Sequence, residues 1–388
     1  MNKIVLVNLI SDQTVPTVIS INTFGEASYH FFLTTEKMED EKKGNRVERV
    51  IKTCNISEDK IFKVIASADD YNDIIQKLES AMNFLAQFDK VYVNITGGTK
   101  IMSLAAFNFF VKINAYIWYL PINSDKFLVA DKPSLTQKVN NKISVTDYLS
   151  ACGIYFTQKQ VQFKEPFKES KFTQQIFKKY RENPEILSFA EEIRLLFRAD
   201  NAIYPFKSKS KNIAGLPERA RIIECLSAFG FELNNDILSK ELINYITGGW
   251  FEDYTYYLMQ NLLNNPDANS SQYIKLGAQL LPTGTNKEKA KYFTNNDLDV
   301  VFTHNENLYV VECKTAGMEK GDLFNKTVYL QSALRKYFGL TVKSILFTLS
   351  AVSYENFDKA DALGIQIIDG QVLSAIDSDN RIKEVLKL

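Results

Sequence analysis

The chain has 388 residues, 45% apolar and 24% charged, and its 46 basic side chains balance 46 acidic ones. That length points to two domains or three, and zero net charge argues against a constitutive, tight, nonspecific nucleic-acid coat while leaving room for a local basic groove. With two histidines, His30 and His304, and four scattered cysteines, Cys54, Cys152, Cys225 and Cys313, a structural zinc site or a histidine-based metallohydrolase is close to excluded.

The opening run KIVLVNLI reads as a fully buried strand, too short for a signal peptide and without a small-residue cleavage site behind it. A loop and helix through SDQTVPTVISINTFG follow, then the strand YHFFLTT, a polar-faced helix over KMEDEKKGNRVERVIKTCNI and the strand KIFKVIA. The helix YNDIIQKLESAMNFLAQF has apolar residues three and four apart, and KVYVNIT and AYIWYLP flank a further helix, TKIMSLAAFNFFVKI. Its charge-free part is too short to span a bilayer. Short, continuously apolar strands between amphipathic helices predict a mostly parallel, doubly wound Rossmann-like sheet. We expect a cytoplasmic location, reduced thiols and no membrane partner.

From Phe127 to Gly249 the pattern is less regular. Helices are expected over EPFKESKFTQQIFKKYREN, ILSFAEEIRLLFRA and ERARIIECLSAFGF, with a basic loop KSKSKNIAGLP between the last two. After GGWFEDYTYYLMQNLL, a helix just past two glycines, strands return in SQYIKLGAQLL, DLDVVFT, NLYVVEC, VKSILFTLS and IQIID. The fold class is therefore α/β with two α/β domains and a helical connector, bounded at 1–125, 126–248 and 249–388.

Two loops of the first domain lie beyond the carboxyl ends of its strands, where open parallel sheets bind ligands. One is Ser11-Asp12-Gln13-Thr14; the other is NITGGTK, with Asn94, Thr96, Gly97, Gly98, Thr99 and Lys100. Two glycines, a helix start, two hydroxyls and a lysine suit an anion, most simply a phosphate. Asp12 does not suit a phosphate, but it can accept from a ribose hydroxyl or a base amino group. The spacing is neither a Walker A loop nor GxGxxG, and it also fits a plain strand-to-helix turn whose threonine caps the helix.

The segment NDLDVVFTHNENLYVVECKTAG places Asp297, Asp299, Glu312 and Lys314 at the ends of runs that look buried. Unpaired charge is costly there. Alternation puts Glu312 and Lys314 on one side and turns Cys313 away, and pairing through THNEN brings them to Asp299. Neighbouring carboxylates repel unless a cation such as Mg²⁺ or Mn²⁺ neutralises them, and a lysine beside them meets an anionic phosphate. Phosphodiester hydrolysis is the reaction these parts fit best. Asp299 lies deeper in its run than Asp297 and is preferred. Lys287, Lys289 and Lys291, and Lys207, Lys209 and Lys211, form lysine rows that fit a phosphate backbone or a solvated loop equally well.

The two loops of residues 1–125 resemble the CRISPR-associated Rossmann-fold (CARF) domain. That resemblance implies a homodimer with a cyclic oligoadenylate across its two-fold axis, held by both copies of Ser11 to Thr14 and of Asn94 to Lys100. The arrangement of Asp299, a hairpin, then Glu312-Cys313-Lys314 resembles the PD-(D/E)XK nucleases, lacking their usual proline before the aspartate. The resemblance adds Glu252 on the preceding helix, Gln331 on the following one with Arg335 a turn beyond, and a metal set of Glu252, Asp299, Glu312 and the backbone carbonyl of Cys313. The pair of domains resembles the ancillary nucleases of type III CRISPR defence. It implies an Mn²⁺- or Mg²⁺-dependent endonuclease on DNA or RNA, switched on by cyclic tetra-adenylate, with hexa-adenylate equally allowed by symmetry. A repair or restriction nuclease without such gating, and a catalytically inactive ligand-responsive regulator, are the competing expectations.

Overall fold

The computed structural model describes residues 3–40, 45–130, 132–139, 142–154, 161–198, 201–263, 270–280, 297–316, 324–329, 334, 338, 339 and 341–388. Gln331, Arg335 and the row Lys287, Lys289 and Lys291 lie outside the described residues.

The first sheet has the order β3-β2-β1-β4-β5-β6-β7. Its strands are β1 (Ile4–Leu9), β2 (Tyr29–Thr34), β3 (Ile61–Ile65), β4 (Lys90–Asn94), β5 (Tyr116–Tyr119), β6 (Lys126–Val129) and β7 (Lys132–Lys138). The first five are parallel and β6 and β7 antiparallel. All six residues of β1 are buried, as expected of a central strand covered by helices on both faces. On one face lie α4 (Tyr71–Ser80) and α6 (Lys100–Lys112), on the other α1 (Val15–Thr23) and α3 (Arg46–Cys54). Local chemistry starts these helices. Asp70 accepts the N–H groups of Asn72 and Asp73 at 2.9 and 3.1 Å, and Thr99 accepts that of Met102 at 3.2 Å, each satisfying donors a helix start leaves open.

The second sheet has the order β15-β14-β13-β12-β11-β8. Here β12 (Asp297–His304) and β13 (Asn307–Lys314) are central, flanked by β11 (Ile274–Leu280) on one side and β14 (Val342–Thr348) and β15 (Ile365–Ile368) on the other. The edge strand β8 (Val161–Lys164) comes from the connector and pairs with β11. The connector's helices are α8 (Ser170–Glu182), α9 (Ile186–Phe197) and α10 (Arg219–Ala228). The loop expected over KSKSK contains a short strand, β9 (Ser210–Asn212), paired with β10 (Ile237–Ser239). A π-helical turn, Tyr245–Gly249, leads into α12 (Trp250–Leu262).

The two domains share a core. Helix α7 (Val145–Ala151), with Val145, Tyr148 and Leu149 buried, joins residues of β1 and α1 to Leu298, Val301, Leu308 and Val310 of the second sheet. The fully buried Tyr148 donates its hydroxyl to the Phe338 carbonyl at 3.1 Å and lies 2.6 Å from the Thr341 hydroxyl, while Thr303 donates to the Ile143 carbonyl at 2.7 Å. Among the described residues, no helix is long and apolar enough to cross a membrane.

His30 of β2 is buried and stacked near Phe32, and burial holds its imidazole down to about 4. An unfolded histidine protonates near 6.5, so between about pH 6.5 and 4 the unfolded chain binds more protons and stability falls as pH falls. Denaturation at about pH 7.5 and pH 4.5 is expected to show a smaller acid loss for His30→Phe than for the wild type, by on the order of 2 kcal/mol. Equal losses would contradict the burial account.

Candidate functional site

The strand order reverses between β1 and β4, and their carboxyl-end loops meet there, at the position where open α/β sheets place a ligand. The contact is tight: a Cβ on Gly97 would fall 2.2 Å from the Leu9 carbonyl oxygen, and Gly98 has φ +79°, so both positions favour glycine. Above the loops opens a cavity of about 1060 Å³. Ser11, Asp12, Gln13, Thr96, Gly98 and Thr99 line it. Thr14, Asn94, Gly97 and Lys100 do not; the first three instead build the loops. Thr14 donates to the Ala151 carbonyl of α7. Asn94 donates to Asn8 Oδ1 at 2.9 Å and accepts the N–H of Thr96 at 3.0 Å. Lys100 is exposed at the first turn of α6.

Asp12 is not a bare negative charge. Lys37 and Arg46 each lie 2.9 Å from its carboxylate. The Lys37 hydrogen bond, then the charge of Arg46, hold the carboxyl below its usual range against burial. Two cations beside Asp12 offset its charge, which removes the obstacle it would present to an anion; Glu36, Asp70 and Asp73 also line the cavity. Lys37, which also lines the cavity, was missed in the sequence although it follows the carboxyl end of β2, where the rule that singled out the other loops applies.

In the second domain, a cleft of about 1290 Å³ is lined by Glu252, Asp299, Cys313 and Lys314, with Lys164, Arg194 and Arg198 contributed by the connector. The β12–β13 register runs from His304↔Asn307 to Val300↔Val311. Just past its end, the Asp299 carboxylate accepts the N–H of Cys313 at 2.7 Å. Burial first, then the charges of Glu312 and Glu252, push the Asp299 carboxyl well above the usual range. Lys314 donates to Glu312. Burial opposes its charge, but Glu312 and Asp299 outweigh it and hold the ammonium at about 12.

Glu252, Asp299, Glu312 and Lys314 are thus electrostatic neighbours. The neighbouring acid, Asp253, is buried and accepts the backbone N–H groups of Phe167 and Lys168 at 2.9 and 3.2 Å, so it holds the connector in place although it lines the cleft beside Glu252. Cys313 keeps the buried face of Tyr309 and Val311 and so turns from Glu312, as alternation along β13 expects, and pairing with β14 continues through Lys314; the residue also borders the cleft with Asp299. Lys207, Lys209 and Lys211 are not among the cleft's lining residues. No local pattern points to Lys164, whose ammonium lies 3.9 Å from Glu252, since that contact depends on β8 joining the sheet.

Among the described residues, no three His, Cys, Asp or Glu side chains stand as a ready-made metal cage. The donor chemistry nonetheless fits a hard divalent cation. The charges of Glu312 and Glu252 add to burial in raising the proton affinity of Asp299, and a cation relieves that repulsion.

A Rossmann-like domain with a ligand-sized cavity, followed by a domain whose central hairpin gathers acids and a lysine, defines a two-domain protein of the sensor and nuclease class. Residues 5–148 match the family described as the Card1 CARF domain, and residues 239–386 match the Card1-like endonuclease domain. The chain accordingly joins a CARF domain to a PD-(D/E)XK-like, Card1-like endonuclease domain through a helical linker. The fold is similar along its length to VC1899 from Vibrio cholerae (TM-score 0.75, 20% identity, 99% of this chain and 98% of that one). It is also similar to Can2 from Sulfobacillus thermosulfidooxidans, solved with cyclic tetra-adenylate (0.67, 19%, 99% and 98%). A type III CRISPR defence DNA nuclease activated by cyclic oligoadenylate matches at 0.53 and 16%, over 100% of this chain and 52% of that one, so this chain spans about half its length. No curated protein matches the sequence significantly.

Because the two loops touch at Gly97, Gly97→Ala is expected to force them apart. Thermal melting should show a loss of on the order of 1–3 kcal/mol, and an unchanged midpoint would contradict the close approach.

Proposed function

We propose that the chain is a metal-dependent endonuclease that cleaves DNA or RNA phosphodiesters in type III CRISPR defence and is switched on by cyclic tetra-adenylate. The observation that carries the nuclease reading is the convergence of Glu252, Asp299 and Lys314 at one cleft, with Glu312 acting on Asp299 and accepting from Lys314. For the activator, support comes from the Card1 CARF match, the cavity at the strand-order reversal, and the likeness to Can2, which was solved with that ligand.

In this reading, Glu252, Asp299, Glu312 and the Cys313 carbonyl would hold Mg²⁺ or Mn²⁺, which would supply a water of lowered pKa and polarisation of the phosphoryl group. Lys314 stays an ammonium at neutral pH, since its neighbours hold it at about 12; its work is therefore to donate to a phosphate oxygen or the attacking water, not to take a proton. Lys164, Arg194 and Arg198 line the same cleft and are the cations that a substrate backbone would meet there, although Arg194 is paired with Glu191. Gln331 is assigned to the site through the PD-(D/E)XK resemblance.

A homodimer fits the open sensor cavity. Tyr119 and Ile122 line it while 41% and 62% exposed, and Leu104 and Val111, two turns apart on α6, are 57% and 40% exposed. Exposed apolar side chains around a cavity mark an interaction surface. A second copy that covers them also doubles the loops available to a symmetric ring. Ligand closure of the two sensor domains then shifts the population toward a cleavage-competent arrangement, by as much as the ligand prefers it.

With Mn²⁺ fixed, cleavage of single-stranded DNA and RNA is expected to rise on adding cyclic tetra-adenylate; equal rates would remove the gate and favour an ungated nuclease. Glu312→Ala and Lys314→Ala are each expected to lower stimulated cleavage at least about 100-fold, with activator affinity changed by no more than about twofold. Full activity in either variant would displace the assigned centre.

A further inference from the structure

The cavity of the CARF domain is not walled by that domain alone. Asn305, Glu306 and Asn307, at the tip of the β12–β13 hairpin of the nuclease domain, line it as well. Three features of this tip are costly and have no purpose in the hairpin itself. The two-residue turn has φ +45° at Asn305 and +61° at Glu306, and the second of these positions favours glycine, not a glutamate. Glu306 is 7% exposed and Asn307 4%, although hairpin tips commonly lie in solvent. Finally, Glu306 Oε2 and Asn307 Oδ1 are buried acceptors with no hydrogen-bond partner among the described residues.

The remaining contacts fix the tip in place. Asn307 Nδ2 donates to the Asn305 carbonyl at 2.7 Å, which sets the amide so that its oxygen is the group left over. Ile143 supplies a backbone N–H to the Glu306 carboxylate, and Thr303, just before the turn, donates to the Ile143 carbonyl at 2.7 Å. Burial raises the Glu306 carboxyl to about 7, with Lys142 and Asp125 the other charges acting on it. Two desolvated acceptors without a partner among the described residues, on adjacent residues that line one cavity, call for a ligand that brings donors and turns these acceptors toward it. Phosphates bring none. The donors of an adenine nucleotide are its ribose hydroxyls and its exocyclic amino group, and the amino group offers two N–H bonds on one atom, matching two acceptors on adjacent residues.

We propose that the nuclease hairpin supplies part of the activator site, with Glu306 Oε2 and Asn307 Oδ1 accepting hydrogen bonds from the amino group of an adenine in the sensor cavity. This rests on reading that cavity as the cyclic oligoadenylate site. The consequence is a short route between the two sites. The strands that end at this turn are the ones that carry Asp299, Glu312 and Lys314 at their other end, so occupancy of the cavity acts on the catalytic strands directly as well as through movement of whole domains.

The test is calorimetric titration of the full chain with cyclic tetra-adenylate and with its inosine counterpart, which lacks the amino groups, alongside cleavage at increasing activator. Glu306→Gly is the first variant, because glycine suits the turn and its melting temperature should equal or exceed the wild type's; Asn307→Ala is the second. Each is expected to raise the dissociation constant for cyclic tetra-adenylate about tenfold, to raise the activator concentration for half-maximal cleavage in step, and to narrow the preference for adenine over inosine. Wild-type affinity and wild-type preference in both variants would overturn the proposal while leaving the sensor reading intact. No binding of cyclic tetra-adenylate by the wild type would overturn the sensor reading, and the proposal with it.

Discussion

The antiparallel pairing of β12 with β13 is the constraint on which the rest of the molecule depends. Its paired segment is buried on both faces, against α12 and the connector on one side and against α7 and the sensor domain on the other. Inside this ladder every backbone group has a partner strand, so the hairpin acts as a stiff bar. At one end the regular pairing gives way and an aspartate, a glutamate and a lysine converge. At the other, a strained two-residue turn enters the sensor cavity.

Electrostatics gives each end its character. At the catalytic end, the charges of Glu312 and Glu252 act on Asp299, and Lys314, which donates to Glu312, offsets part of that repulsion. Lys164, from a strand outside the matched endonuclease segment, stands at the far side near Glu252. The cluster is therefore assembled from three parts of the chain: the connector's edge strand, the helix after the two glycines and the hairpin. In the sensor cavity the acid at the loop, Asp12, is neutralised by Lys37 and Arg46, and the acid on the opposite wall, Glu306, has only a backbone donor and a lysine's charge to set against its burial. The cavity thus holds a region suited to phosphate and a region suited to a base.

Much of this was legible in the sequence wherever local pattern decides structure. The parallel sheet was readable because its central strands are buried on both faces and so carry no polar alternation, as in β1. The loops after β1 and β4 were readable from the glycines and capping threonine. Asp299, Glu312 and Lys314 stood out as charges beside buried runs. Features set by contacts distant in the chain were not readable. Nothing near Lys164 announces that its strand completes the nuclease sheet, and nothing near Thr14 announces a bond to Ala151. Cys313 followed the alternation rule, on the face of Tyr309 and Val311, because β13 stays paired with β14 through Lys314. Glu306 read as a turn residue because its burial comes from a domain some 150 residues away in the chain.

The central claim is that Glu252, Asp299 and Glu312 form one divalent-cation site. Its most direct measurement is titration of the full chain with Mn²⁺, with binding followed by calorimetry and by the loss of the free-ion resonance signal, for the wild type and for Asp299→Asn. The account predicts a saturable site in the wild type whose affinity falls at least about tenfold in the variant. Equal affinity in the two proteins, or no saturable Mn²⁺ binding in the wild type, would contradict it.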